Sequence, residues 1–394
     1  MIDVLSFLLR FKYVIIFYLA IIILLIWKRK KIQTQAKIIF LYRMKWGLRW
    51  MDKYSQKHRE WIILLGYIGV GVGFIGMLII GYFLVKNLYD LFTIPAMASG
   101  VSLVLPGINV PGLGILPFWH WLIAIFFIAI VHEFSHGIVA RAHNVEVKNT
   151  GIVFFGPIIG AFVEPNEKKM VKENDIVQYS ILAAGSFSNI MLGLLALFLL
   201  GFAAMPLQDA MTDAVGFSFE NYYGETSPAQ IAGINPGVIV TGIDDVTSST
   251  FQEFQEELIK NGPGDTIIIH TTEKDLSLVL TESPDVPGRG FLGISNIKNE
   301  IEVKEQYSMG IMNLFYNTLE TITSFLRWLY LLSLGIGLFN LLPLPIVDGG
   351  RMVQTFLHKL KGIDKGEKRY RQISLFFLLV LVFSLFFPWL SKVF

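Results

Sequence analysis

The chain contains no cysteine. That removes disulfides, a thiol nucleophile and any cysteine-ligated metal or cluster. Charge is scarce too: 16% of the 394 residues are Asp, Glu, Lys or Arg, where a soluble globular chain carries about a quarter. The charges nearly cancel, at +2 overall, so no global field recruits nucleic acid. Histidine is rare, with seven in the whole chain. What fills the remainder is apolar, 53% of all residues. Such a chain reads as a membrane protein of two or three units.

Apolar runs long enough to approach or exceed a bilayer crossing lie near 4–27, 61–85, 117–140, 177–205, 311–342 and 372–391. The first has Arg10 and Lys12 to snorkel and ends in "KRKK" without a small-residue cleavage site, so it reads as an anchor. Loop charges orient the runs. Residues 28–60 hold eleven Lys/Arg against two acids, and 351–371 hold seven against two. Residues 207–310 carry seventeen acids and five Lys/Arg. The positive-inside rule puts the first two loops in the cytoplasm. Six crossings then put both termini and residues 207–310 outside.

Two loops are unusual. "AKIIFLYRMKWGLRWMDKY" (36–54) mixes cationic and aromatic residues at roughly helical spacing, which predicts an interfacial amphipathic helix. "TGIVFFGPIIGAFVEP" (150–165) is apolar, glycine-rich and too short to span, which predicts a re-entrant hairpin buried against protein. Its residues Ile152, Val153 and Phe154 are candidates to offer a strand edge to an extended substrate. Residues 211–300 change character, with Gly-Pro turns, β-branched runs and one amphipathic stretch, "TFQEFQEELIKNG". "SPAQIAGINPGVIVTGIDD" followed by that stretch resembles a PDZ domain, a module that binds peptides at a sheet edge.

The chemistry concentrates in "AIVHEFSHGIVA" (129–140), inside the third run. His132, Glu133 and His136 form H-E-x-x-H. On a helix, i and i+4 share a face, so two imidazoles can take adjacent vertices around a metal, with Glu133 beside them as general base. Ionisable groups at membrane depth are costly and need a shared reason, which a divalent cation supplies. A catalytic zinc site takes a third protein ligand and keeps one position open. The candidates are His143, Glu146, Glu164, His270, Asp348 and His358. Asp348 is favoured by topology. It follows "LGIGLFNLLPLPIVDGG", where Pro343 and Pro345 break the fifth run, and it lies at the same inner depth as the histidines.

At this point the chain resembles a known family. H-E-x-x-H in one membrane helix with N-x-x-P-x-x-x-x-D-G in a later one, here Asn340 to Gly349, is similar to the site-2 proteases, as is a PDZ-like insert between the two. The resemblance covers about residues 117–394. It implies an intramembrane zinc metalloprotease cutting transmembrane protein substrates, with one Zn²⁺ on His132, His136 and Asp348 and with Glu133 as base. It also implies that Asn340 stabilises the oxyanion or orients substrate. Asn189 in "GSFSNIMLG" matches a small-x-x-Asn pattern of the family's fourth span, read as helix packing or substrate contact. The loop "LVLPGINVPGLGILP" (103–117) resembles loops of archaeal members.

The resulting expectation is a polytopic α-helical membrane protein of about six transmembrane helices, with an inserted PDZ-like α/β domain and a short membrane-associated hairpin. Its parts are an N-terminal two-helix membrane module with an interfacial amphipathic loop (1–85), a first catalytic membrane part (86–210), the PDZ-like extracytoplasmic domain (211–300) and a second catalytic membrane part (301–394). The active site lies near the cytoplasmic side. Expected partners are transmembrane substrates, membrane lipid and a peptide on the PDZ-like domain, with no nucleic acid. Two rival readings are a membrane non-haem iron oxygenase, since two His and one carboxylate also suit Fe(II), and a PDZ-bearing adaptor with a structural metal. Seven histidines are few for the first, and Glu133 has no use in the second.

Overall fold

The computed structural model describes residues 12–28, 32–35, 39–94, 100–101, 104–107, 109–110, 114–155, 158–224, 226–284 and 286–390. In chain order the elements that matter are α1 (Lys12–Trp27), β1 (Ile32–Gln35), β2 (Ile39–Met44), α2 (Leu48–Lys57), α3 (Arg59–Thr93), α4 (Phe118–Ala142), β3 (Val147–Phe155), β4 (Ile158–Pro165) and α5 (Asp175–Leu199). They continue with β5 (Thr212–Tyr222), β6 (Val240–Ile243), α6 (Phe251–Leu258), β7 (Thr266–Thr271), β8 (Leu276–Val279), β9 (Ile294–Val303), α7 (Gly310–Phe339), α8 (Asp348–Lys361) and α9 (Ile363–Leu390). Two compact units result: residues 1–199 with 325–394, and residues 200–324.

Among the described residues, five helical stretches are long and apolar enough to cross a membrane: Arg59–Thr93, Phe118–Ala142, Asp175–Met211, Gly310–Phe339 and Ile363–Phe387. They carry the polytopic helical character expected from composition. The first apolar run appears as the shorter α1. Its residues before Lys12, with Arg10, and the end of "KRKK" lie outside the described residues, as does part of the loop 103–117.

Within the first unit α3 is the packing hub. A Cβ added at Gly66, Gly69, Gly73, Gly76 or Gly81 would meet Ser180, Phe187, Ala183 with Met352, Leu341 or Phe377 respectively. This stripe of small residues lets α3 approach α5, α8 and α9 closely, which is how membrane helices gain van der Waals contact when lipid is as apolar as their side chains.

The region 36–54 departs from the amphipathic helix expected for it. Residues 36–38 are outside the described set. Residues 39–44 form β2, which pairs antiparallel with β3 from Ile39↔Phe155 to Met44↔Thr150. The helix begins only after Gly47, whose φ of 81° lies in the left-handed region. The β-prone sequence Ile-Phe-Leu-Tyr took a partner strand, and that pairing outweighed local helical spacing. The apolar segment 150–165 does form a hairpin, β3–β4, as half of a four-stranded sheet ordered β1-β2-β3-β4.

The second unit holds the antiparallel sheet β8-β7-β6-β5-β9. Alternate strand residues Phe217, Phe219, Ile267 and Ile269 bury against Phe254 of α6. The period of two in the sequence thus becomes one apolar sheet face covered by the amphipathic helix.

Candidate metal centre

The four-residue spacing in α4 stacks His132 and His136 one turn apart, with ring centroids 4.8 Å from each other in edge-to-face array. Their Nε2 atoms lie 3.1 Å apart. Asp348 Oδ2 lies 3.1 Å from His132 Nε2 and 3.3 Å from His136 Nε2. Both histidines are more than nine-tenths buried. Among the described residues these three form a group able to hold a metal ion.

Asp348 reaches the histidines because the chain folds tightly after α7. The Gly349 N–H donates to the Asn340 carbonyl at 2.7 Å, and Ser374 Oγ donates to the Pro343 carbonyl at 2.7 Å. A Cβ at Gly349 or Gly350 would collide with the carbonyls of Leu341 or Leu344. The two glycines are therefore required by close backbone approach, and Asp348 opens α8 directly beneath α4. Asn340 sits in this turn, half-buried, tied by its backbone to the residue after Asp348.

Helix α5 braces the pair from the other side. His136 Nδ1–H donates to the Ile181 carbonyl at 2.6 Å. That carbonyl can only accept, so the proton is on Nδ1, and a neutral ring then turns its Nε2 lone pair toward His132 and Asp348. The Asn189 amide lies 3.1 Å from His132 Nδ1. Gly185 lies between the two contacts, and any Cβ there would strike both rings. Asn189 is thus fully buried against a histidine, not lining a substrate surface.

Glu133 points to the sheet. Its Oε2 accepts the Val163 backbone N–H at 2.8 Å. The Val163 N–H goes to Glu133 and not to its register partner Thr150 in β3, so the peptide groups of Val163, and by alternation of Ala161 and Ile159, turn away from β3 toward the edge of the sheet left unpaired among the described residues. This corrects the strand edge expected at Ile152, Val153 and Phe154. They lie in β3, whose two edges are both paired, with β2 and β4. Ile152 and Phe154 instead line an apolar cavity of about 500 Å³ with Phe17, Trp121 and Phe126.

The other candidate ligands are engaged elsewhere. His143 packs by Ser180 at 3.4 Å, and burial, then the Arg59 guanidinium, hold its pKa below the ordinary histidine value. Glu146 pairs with Lys169 at 3.2 Å, and Glu164 with Arg43 at 3.1 Å. His270 pairs with Asp275 at 2.8 Å in the second unit, and His358 with Glu367 at 3.2 Å.

The donor set fits a divalent cation. Nitrogen and oxygen ligands about 2.0–2.2 Å from a tetrahedral zinc stand roughly 3.3–3.5 Å from one another. The observed separations of 3.1–3.3 Å are close to that spacing. Two imidazoles and one carboxylate leave a fourth position for water or substrate, the pattern of a catalytic zinc site. Sequence reasoning missed the Ile181 carbonyl and the Val163 N–H, both backbone groups whose placement no side-chain motif encodes. For Asn189 the sequence offered a signal, an amide in an apolar helix, but not its partner.

Comparison with known proteins agrees. The model of Peptidase family M50 matches residues 120–385. The chain is 26% identical to the uncharacterized protein MJ0971 of Methanocaldococcus jannaschii, over 87% of this chain and 83% of that one. It is 25% identical to the zinc metalloprotease RasP of Oceanobacillus iheyensis, over 46% of this chain and 51% of RasP. It is 35% identical to protease RseP of Photorhabdus luminescens over 66 residues, 29% of that protein. The chain thus spans about half the length of the RasP protein it matches. With two motifs meeting at one site, one in an apolar helix and one in a tight turn, and a family match across both, the chain belongs to peptidase family M50, the site-2 protease family of intramembrane metalloproteases.

Proposed function

We propose that this chain binds one zinc ion through His132, His136 and Asp348 and hydrolyses peptide bonds within or near transmembrane segments of membrane-protein substrates, as in regulated intramembrane proteolysis. The observation that carries the reading is the triangle of ligand atoms, 3.1 to 3.3 Å on a side, built from one apolar helix and one tight turn.

When bound, zinc supplies a water of lowered pKa and polarises the scissile carbonyl. Glu133 takes the proton from the attacking water on its carboxylate and returns it to the leaving amine. Val163 N–H fixes the direction of that carboxylate. Asn340, on the turn that carries Asp348, orients the scissile peptide or donates to its developing oxyanion. A substrate helix hides its carbonyls in internal hydrogen bonds and must unwind first. The outward groups of Ala161 and Ile159 offer the extended segment a strand to pair with.

The cationic loops 28–60 and 351–371 support a site near the cytoplasmic face, and the seventeen acids of 207–310 support an extracytoplasmic second unit. That unit is read as PDZ-like, engaging peptide at an edge of its sheet. The test is cleavage of a single-span reporter in membranes. The wild type should cleave it, and Glu133→Gln should lose at least about 10²-fold while keeping its zinc. A Glu133→Gln protein that cleaves like wild type would sink the mechanism.

A further inference from the structure

We propose that Asn189 is the positioning residue of His132: its side-chain oxygen accepts the Nδ1–H of His132 and holds the ring in the tautomer whose Nε2 faces the metal. The inference rests on the metal reading above and adds to it a residue outside both sequence motifs.

His132 Nε2 converges with His136 Nε2 and Asp348 Oδ2, each 3.1 Å away. A ring nitrogen that binds a cation does so with its lone pair, so the one proton of neutral His132 sits on Nδ1 and needs an acceptor. The group that meets Nδ1 is the amide end of Asn189, 3.1 Å away, on a residue with no exposed surface. With the NH2 end toward the ring, two donors face each other, and Asn189 Oδ1 is left buried without a partner among the described residues. A half-turn about Cβ–Cγ exchanges the two ends, which have nearly the same shape. It gives Nδ1–H its acceptor and Oδ1 its donor in one move.

The surrounding geometry supports the assignment. Ile181, Gly185 and Asn189 follow at i, i+4 and i+8, one stripe of α5. The stripe presents the Ile181 carbonyl to the Nδ1 of His136 and the Asn189 amide to the Nδ1 of His132. Gly185, between them, leaves room for the rings. Helix α7 holds the backbone that carries the amide: Ser333 Oγ donates to the Asn189 main-chain carbonyl at 2.8 Å, and the Gly337 backbone passes so near that a Cβ there would lie 3.1 Å from Asn189 Cβ. A packing residue needs none of this polar matching; a residue that sets a tautomer does.

The experiment measures zinc affinity of the purified full chain by competition with a chromophoric chelator. Asn189→Leu keeps the branched outline, with some added bulk, and removes the acceptor; it should bind zinc about 10- to 100-fold more weakly. Asn189→Asp keeps shape and acceptor; it should bind within about threefold of wild type or more tightly. Equal affinity in N189L and wild type overturns the proposal, as does N189D falling as far as N189L. A second measurement needs no variant to fold: nitrogen NMR of histidine-labelled, zinc-loaded wild type should show protonated Nδ1 on both His132 and His136. A bare Nδ1 on His132 overturns the proposal. Wild type that takes up no zinc overturns the metal reading together with this one, whereas wild type that binds zinc with an indifferent N189L overturns this one alone.

Discussion

The Val163 N–H and the Glu133 carboxylate meet at 2.8 Å, so one peptide group belongs at once to the free edge of a β-sheet and to the proposed general base. The sheet edge and the metal centre are therefore held in fixed relation. An extended peptide pairing with the outward groups of Ala161 and Ile159 runs along a strand whose next outward group already grips Glu133.

This relation fixes where a proline will act. The N–H of Ala161 points to the free edge, so Ala161→Pro leaves the β3–β4 ladder intact, and prolines are tolerated on such edges. Reporter cleavage should fall about tenfold or more with zinc content unchanged. The N–H of Ile152 points toward β2, its partner there being Tyr42. Ile152→Pro should therefore disturb the sheet itself, lowering thermal stability along with activity. Full cleavage by Ala161→Pro would remove the strand-pairing role.

Gly185 makes a separate claim about distance. A side chain at this position would strike the ring nitrogens of His132 and His136. Gly185→Ala should push α5 off the rings, and a displacement near 1 Å costs about 10²-fold in turnover. Zinc affinity should drop in parallel, read by the same chelator competition. Wild-type affinity and rate in Gly185→Ala would mean that α5 does not brace the ligands.

How much of this was legible beforehand follows from what each signal encodes. His132 and His136 were readable because an i, i+4 pair on a helix is a spatial statement already. Asp348 needed loop charge to bring it to the same depth, more than two hundred residues later. The Ile181 carbonyl and the Val163 N–H were not readable, because every residue has those groups and only tertiary placement makes one of them matter. The residues of β2 misled for a related reason. Their aromatic and cationic mixture fits an interfacial helix until β3 exists as a partner, and pairing register is not a local property. Ile152, Val153 and Phe154 lie one strand before the edge, and sequence marks a hairpin but not which of its strands stays unpaired.

In the second unit, His270 should titrate high. The Asp275 carboxylate, and after it the Asp244 carbonyl, hold its pKa above the ordinary histidine value. A pKa higher in the folded state adds stability that is fully present below the unfolded value, about 6.5, and is lost as pH rises through the folded one. Asp275→Asn should lower the His270 pKa in an NMR titration and flatten this pH dependence. An unchanged titration in that variant would rule out the pair as its cause.

Removing the metal tests the centre as a whole. His132, His136 and Asp348 converge their acceptor atoms without a compensating donor among them once the two rings are neutral, an arrangement a cation relieves. On the proposed reading zinc binds the folded site and not the unfolded chain, so loading at about 100-fold above Kd should add about 2.7 kcal/mol of apparent stability. Chelation should therefore lower the unfolding temperature of wild type, and zinc should restore it. Asp348→Asn keeps the side-chain shape but weakens one ligand, so its unfolding temperature should respond little to zinc at the same concentration. An Asp348→Asn protein with the full wild-type zinc shift would show that the carboxylate is not a ligand, and the third ligand would have to be sought among other groups.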